Sequence, residues 1–327
     1  MPRWLIATIK LLLTALVIGF VAWQLRGAFV AFSLAKLRPD AWLSLLGLAV
    51  FCLYLLSQAL IWWRLTAGHD VALPLGATVA IWCYSILGKY VPGKALLWAV
   101  RYAHYRARCP TFSGPALLRC FVLEFFCGVA AGFALALLAT IVVPTPLATP
   151  ALRLAAAAIL LASLAAVHPA ALSWCERWLG RALKVEAAPT RIGIGETLAA
   201  VAAYAVGWVI LGLAVFLLAR AVEPSLSWNA CPYVAAAYVI AGLVGFLALF
   251  APSGIGVREG VLIAGLAQVM PLDGATVVAV LARLVSTVGE VLLAVGAAAL
   301  SRGVPSLRVI RQSEPRPPMI VPSEPRP

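Results

Sequence analysis

The chain has 327 residues, of which 64% are hydrophobic and 11% charged, with a mean hydropathy of +1.01. Soluble domains are about 45–50% apolar and about 25% charged, so a water-soluble enzyme is excluded first. Lys plus Arg number 25 against 12 Asp plus Glu; most of these cations sit at the ends of apolar runs, the positive-inside pattern of a membrane protein beside anionic lipid and not the footprint of a nucleic-acid binder.

A spanning helix needs about 20 apolar residues. Arg3 and Lys10 precede the apolar run Leu11–Trp23, which ends at an interface-like Trp23-Gln24 without a small-residue cleavage site. That run is predicted as an uncleaved first span. Ala41–Trp63 is a second, free of charge. Leu75–Leu87 is too short to cross and is broken by Gly88-Lys89-Tyr90-Val91-Pro92-Gly93-Lys94; the apolar piece Ala95–Val100 then leads to Arg101, Arg106 and Arg108. Pro115–Val143, Leu152–Val167 and Thr197–Leu218 follow as runs, with a polar stretch at His168–Arg191. Pro232–Phe250 meets a second break at Ala251-Pro252-Ser253-Gly254-Ile255-Gly256 before Val257–Met270 resumes, and Gly274–Leu300 is the last run. Residues 301–327 repeat Ser-Glu-Pro-Arg-Pro and hold almost nothing apolar to pack; they are expected to form a disordered, basic, Pro-rich tail.

The expected fold is therefore all-α: a polytopic integral membrane helical bundle over 1–300, with about seven spans and two opposed re-entrant helical hairpins near 75–100 and 232–270. Summed charge bias favours a cytoplasmic N-terminus and C-terminus in a plasma (inner) membrane. Two interrupted segments of opposite entry would bring their tips together near the midplane. Unwound backbone is tolerated there only when buried in protein or lining a wet cavity, and such pairs point to a transporter's substrate site.

At the first break Pro92 removes a backbone donor and Gly93 permits positive φ. Lys89, Tyr90 and Lys94 then place cations and a phenol at an unwound tip, suited to a phosphate. At the second, Pro252, Gly254 and Gly256 open a helix N-terminus, an anion site, with Arg258 and Glu259 in its first turn. Within the runs, Arg119, Glu124, Arg283 and Glu290 are ionisable groups in hydrocarbon and are expected to line a translocation path or pair with opposite charges. Arg283 and Glu290 are two helical turns apart, on one face. The cysteines form no CxxC and read as small hydrophobes; the three histidines are scattered, so no metal and no cofactor is expected. No catalytic motif stands out.

The strings Leu87-Gly88-Lys89-Tyr90-Val91-Pro92-Gly93-Lys94 and Ala251-Pro252-Ser253-Gly254-Ile255-Gly256-Val257-Arg258-Glu259-Gly260 resemble those of the lysylphosphatidylglycerol synthase transmembrane-region family, over roughly residues 5–300. The resemblance implies a stand-alone flippase-type membrane domain without the aminoacyltransferase domain. It makes Lys89, Tyr90, Pro92, Gly93, Lys94, Pro252, Gly254, Gly256, Arg258 and Glu259 the expected substrate-binding residues. Arg283 matches an arginine of the family's last span, although Ala282 replaces a preceding tyrosine; beside Glu124, Phe125 stands where relatives have arginine. The implied activity is a lipid translocase, flippase or scramblase, moving a polar, phosphate-bearing lipid across a bacterial inner membrane. The expected partners are membrane lipids: anionic or aminoacylated phospholipid, or isoprenoid-linked lipid. A homo-oligomer or a biosynthetic partner stays open. The competing expectations are a membrane-embedded transferase on a lipid-linked substrate and a non-catalytic scaffold in hopanoid or glycolipid biosynthesis.

Overall fold

The structure is a computed structural model that describes residues 38–69, 71–90, 95–110, 112–142, 149–174, 193–247 and 256–302, with Gly19, Arg26 and Arg177. The predicted first span at 11–23 apart from Gly19, residues 91–94 and 248–255 of the two predicted breaks, most of the polar stretch 168–191 and the tail beyond 302 lie outside the described residues.

The helices in chain order are α1 (Ala41–Ala67), α2 (Leu75–Ile86), α3 (Ala95–Arg108), α4 (Gly114–Val142), α5 (Pro150–Ala166), α6 (Ile194–Val222), α7 (Cys231–Leu247), α8 (Val257–Leu266) and α9 (Leu272–Arg302), and no strand occurs among the described residues. Five of them, α1, α4, α6, α7 and α9, are long and apolar enough to cross a membrane. Their outer faces carry exposed large apolar side chains, with Trp42, Ile141, Val206 and Val295 more than half uncovered. Such faces are unfavourable in water and match a hydrocarbon surround. The chain is thus a polytopic helical membrane protein.

Sequence chemistry sets the helix ends. Asp40 precedes α1 and accepts from the Leu43 N–H at 2.7 Å, filling one of the donors a helix start leaves open. Its own N–H donates to the Ala221 carbonyl at 2.7 Å, so the start of α1 is tied to the end of α6. Pro150 opens α5, where a missing N–H costs nothing. Several ends shift from expectation by a few residues. α1 runs on through Arg64 to Ala67, because a long arginine stem lets the head reach polar surroundings from within a helix. α9 continues to Arg302, past the expected boundary at 300.

Both interrupted segments are antiparallel helical hairpins. In the first, Ser85 meets Arg101 at 2.7 Å and the Tyr84 ring stacks near that of His104, so positions on α3 rise as those on α2 fall. In the second, Gly245 lies against Arg258, while Tyr233 on α7 donates to the Gly265 carbonyl at 3.0 Å. Both hairpins pack on α9, which is the common wall between them. The helices flanking each predicted break, α2 with α3 and α7 with α8, therefore pack antiparallel. Of the three arginines that follow the first break, Arg101 is 1% exposed while Arg106 is exposed. The helix carries all three, and its inward face takes Arg101 into the bundle.

Candidate functional site

The first hairpin tip is a 3-10 turn, Leu87–Tyr90, closing α2. A Cβ at Gly88 would stand 2.5 Å from the Leu97 backbone nitrogen. Only glycine lets the turn press on the start of α3, and that contact turns the next two side chains toward α9. Lys89 forms an ion pair with Glu290 Oε1. Tyr90 donates to Glu290 Oε2 at 2.9 Å and lies 3.4 Å from Thr287 Oγ1. Both oxygens of a carboxylate that is 1% exposed are thereby held by the tip of a distant hairpin. A lone ionised carboxylate in hydrocarbon is expensive; a cation and a phenol together make it tolerable.

The second tip enters α8 through Gly256, whose φ of +82° is a conformation L side chains rarely adopt. Its N–H donates to Glu259 Oε2 at 2.8 Å, so Glu259 reaches back over the helix start and meets the positive end of the dipole. The other oxygen, Oε1, lies 3.3 Å from Arg258 and 3.5 Å from Arg283. One carboxylate is shared by two guanidiniums. Arg258 also donates to the Tyr238 hydroxyl at 3.4 Å, with its guanidinium 5.7 Å from that ring's centroid.

A third cluster went unread in the sequence. Arg101 pairs with Glu124 Oε2 and donates from Nε to Ser85 Oγ at 2.7 Å. Its guanidinium lies 4.4 Å from the Trp62 ring centroid and 5.6 Å from that of Trp82. Trp82 donates to Glu124 Oε1 at 3.1 Å. Glu124, expected to line a path or to pair with an opposite charge, is paired with Arg101.

These groups surround one cavity of about 310 Å³, within the range of roughly 300–1,000 Å³ typical of ligand sites. Lys89, Arg101 and Arg258 line it together with Glu124 and Glu290: three cations against two carboxylates. Aromatic rings, Trp82, Trp98, Trp208 and Tyr238 among them, supply much of the rest of the wall. Two path residues fall elsewhere. Arg283 is buried behind the lining as a counter-charge to Glu259. Arg119 is buried five residues before Glu124 on α4, a spacing that turns it about 140° from that face. Pro92, Gly93, Lys94, Pro252 and Gly254 lie outside the described residues. No group of three His, Cys, Asp or Glu that could hold a metal occurs among the described residues.

The arrangement can take an anion: the partly buried cations Lys89 and Arg258 each face a carboxylate that an incoming anionic group could replace. The chain belongs to a family described as the lysylphosphatidylglycerol synthase TM region, whose model matches residues 7–294. Membership makes it a membrane protein related to lipid biosynthesis or translocation, in a family associated with membrane lipids as substrates. Among curated proteins none matches the chain.

Proposed function

On the premise of that membership, we propose that the protein is a lipid translocase of the flippase or scramblase type, and not an enzyme. It would move a phosphate-bearing lipid between the leaflets of an inner membrane, with both termini cytoplasmic. The observation that carries this reading is convergence: the tips of two helical hairpins, far apart in sequence, bring Lys89 and Arg258 to the same cavity. In this reading the hairpins re-enter the membrane from opposite faces, and the headgroup crosses between their tips while the acyl tails stay in lipid.

The energetics support exchange of one anion for another. A bare cation buried in low dielectric is costly, and its carboxylate partner offsets that cost in the resting state. A phosphate that displaces Glu290 from Lys89, or Glu259 from Arg258, replaces like with like. Tyr90 still donates to Glu290 while Lys89 turns away, so the displaced carboxylate keeps a partner. No nucleotide-binding string occurs in the chain, so uphill movement in this reading draws on an ion gradient or on metabolic withdrawal of the product. Transferase chemistry would need a general base facing the substrate, and both cavity carboxylates are occupied by cations.

The test is dithionite quenching of labelled phospholipid in proteoliposomes, comparing the native protein with Lys89→Ala and Arg258→Ala. The expected result is faster loss of the inner-leaflet signal with native protein, and a background rate with either variant in protein that remains monodisperse. A background rate from folded native protein, across anionic, aminoacylated and isoprenoid-linked lipids, would overturn translocation and favour a scaffold or a transferase.

A further inference from the structure

Two buried polar side chains in the cavity wall take no part in the ion clusters. Gln58 on α1 is 9% exposed and Tyr204 on α6 is 4% exposed. Both line the cavity. Neither the Gln58 Nε2 nor the Tyr204 hydroxyl has a hydrogen-bond partner among the described residues. A buried donor left without a partner costs about 1–3 kcal/mol, so two in one wall call for an explanation.

Their surroundings define what could pair with them. Gln58 lies across Gly207, one helical turn from Tyr204. Trp208, the next residue of α6, also lines the cavity; its indole N–H is tied to the Gly128 carbonyl at 3.0 Å, which leaves the ring as an apolar wall. A carboxamide and a phenol are neutral, and each both donates and accepts. The nearest charged cluster adds no net charge, because Arg101 is already matched by Glu124. A second phosphate finds no uncompensated cation there. An ammonium finds no uncompensated carboxylate.

We propose that Gln58 and Tyr204 form a hydroxyl-reading subsite, and that the transported headgroup is a phosphate bearing an uncharged, hydroxylated ring: a sugar or a cyclitol. The ring lies against Trp208, its hydroxyls pair with Gln58 and Tyr204, and the phosphate is held by Lys89 and Arg258. The inference rests on the phosphate reading of the hairpin tips. A site built to bond a hydroxyl discriminates strongly against a ligand that lacks it, since its own polar groups are then left unpaired.

The experiment uses Gln58→Leu and Tyr204→Phe in the full chain. Each removes a polar group that has no protein partner, so folding is expected to hold or improve. Proteoliposome transport is measured with two acyl-labelled probes, phosphatidylinositol and phosphatidic acid. Each variant is expected to slow the inositol lipid by about tenfold, the equivalent of one hydrogen bond of about 1.4 kcal/mol, and to leave phosphatidic acid unchanged. Arg258→Ala is expected to slow both. Equal rates for both probes in the native protein, or variants that match it on both, would overturn the subsite and leave water as the partner of these groups. If the native protein transports neither probe, the translocase reading fails and the subsite is judged by binding in detergent. There, short-chain phosphatidylinositol is expected to raise the melting temperature more than phosphatidic acid does, and Tyr204→Phe to abolish the difference. The absence of a difference overturns the subsite on that arm too.

Discussion

The cavity is bounded by two ion pairs that look alike on paper and are built in opposite senses. In the Lys89–Glu290 pair the carboxylate is sealed at 1% exposure and the cation is the reachable member at 23%. In the Arg101–Glu124 pair the cation is sealed at 1% and the carboxylate is reachable at 19%. Arg101 is also enclosed by Trp62 and bonded to Ser85. Lys89 is a flexible point charge at the end of a hairpin. The first pair presents positive charge that can change partners; the second fastens α3 to α4 with a guanidinium that has nowhere else to go. Burial of the cation, more than the presence of a pair, separates a binding group from a structural one.

The largest effect is expected from breaking the fastener. Arg101→Leu leaves Glu124 without its cation inside the bundle, and loss of one partner of a buried pair costs about 3–5 kcal/mol. The variant should lose most of its monodisperse fraction in detergent. Arg101→Leu combined with Glu124→Leu should recover it, because replacing both partners by apolar groups is often neutral. A double variant that is folded and still transports would sharpen the contrast between the clusters; one that is folded and silent would place the second cluster in the ligand path.

A smaller effect is expected at the hairpin tip. Lys89→Met removes a charge-assisted bond of about 1.5–3 kcal/mol from Glu290, yet Tyr90 still donates to that carboxylate. Melting temperature should fall, and Glu290→Gln in the same chain should restore it by removing the uncompensated charge. Transport should stay at background in both. If the double variant recovered transport as well as stability, Lys89 would serve only to neutralise Glu290.

The legible part of this site was the part with local punctuation. Pro92-Gly93 and Gly254-Ile255-Gly256 interrupt apolar runs beside cations, and the described helices on either side of each string pack antiparallel. Glu290 stood out as an acid inside an apolar run, but its partner is 201 residues away, a separation no periodicity spans. Arg101 was obscured by its neighbours: three arginines on α3 follow a break, and only the fold shows that one turns inward while Arg106 stays exposed. Gln58 and Tyr204 gave no signal at all. A neutral polar residue in an apolar run carries little insertion penalty, so nothing marks it until its burial and the lack of a protein partner are seen together.

The smallest expected effect lies on the seam between the two clusters. Trp82 belongs to the first hairpin yet donates to Glu124 at 3.1 Å, and its ring lines the cavity. Trp82→Phe keeps an aromatic ring beside Arg101 and removes only that donor. Interhelical hydrogen bonds within membranes average about 0.6 kcal/mol, because an unfolded segment in lipid also finds partners. A slight drop in melting temperature is therefore expected. Glu124 keeps its bond to Arg101, so transport should stay within about threefold of native, the factor that 0.6 kcal/mol represents. A much larger loss of transport at unchanged melting temperature would mean that the Trp82 N–H orients Glu124 toward the headgroup. The pair now assigned to fastening would then belong to the binding surface, and exposure of the cation would no longer tell the two clusters apart.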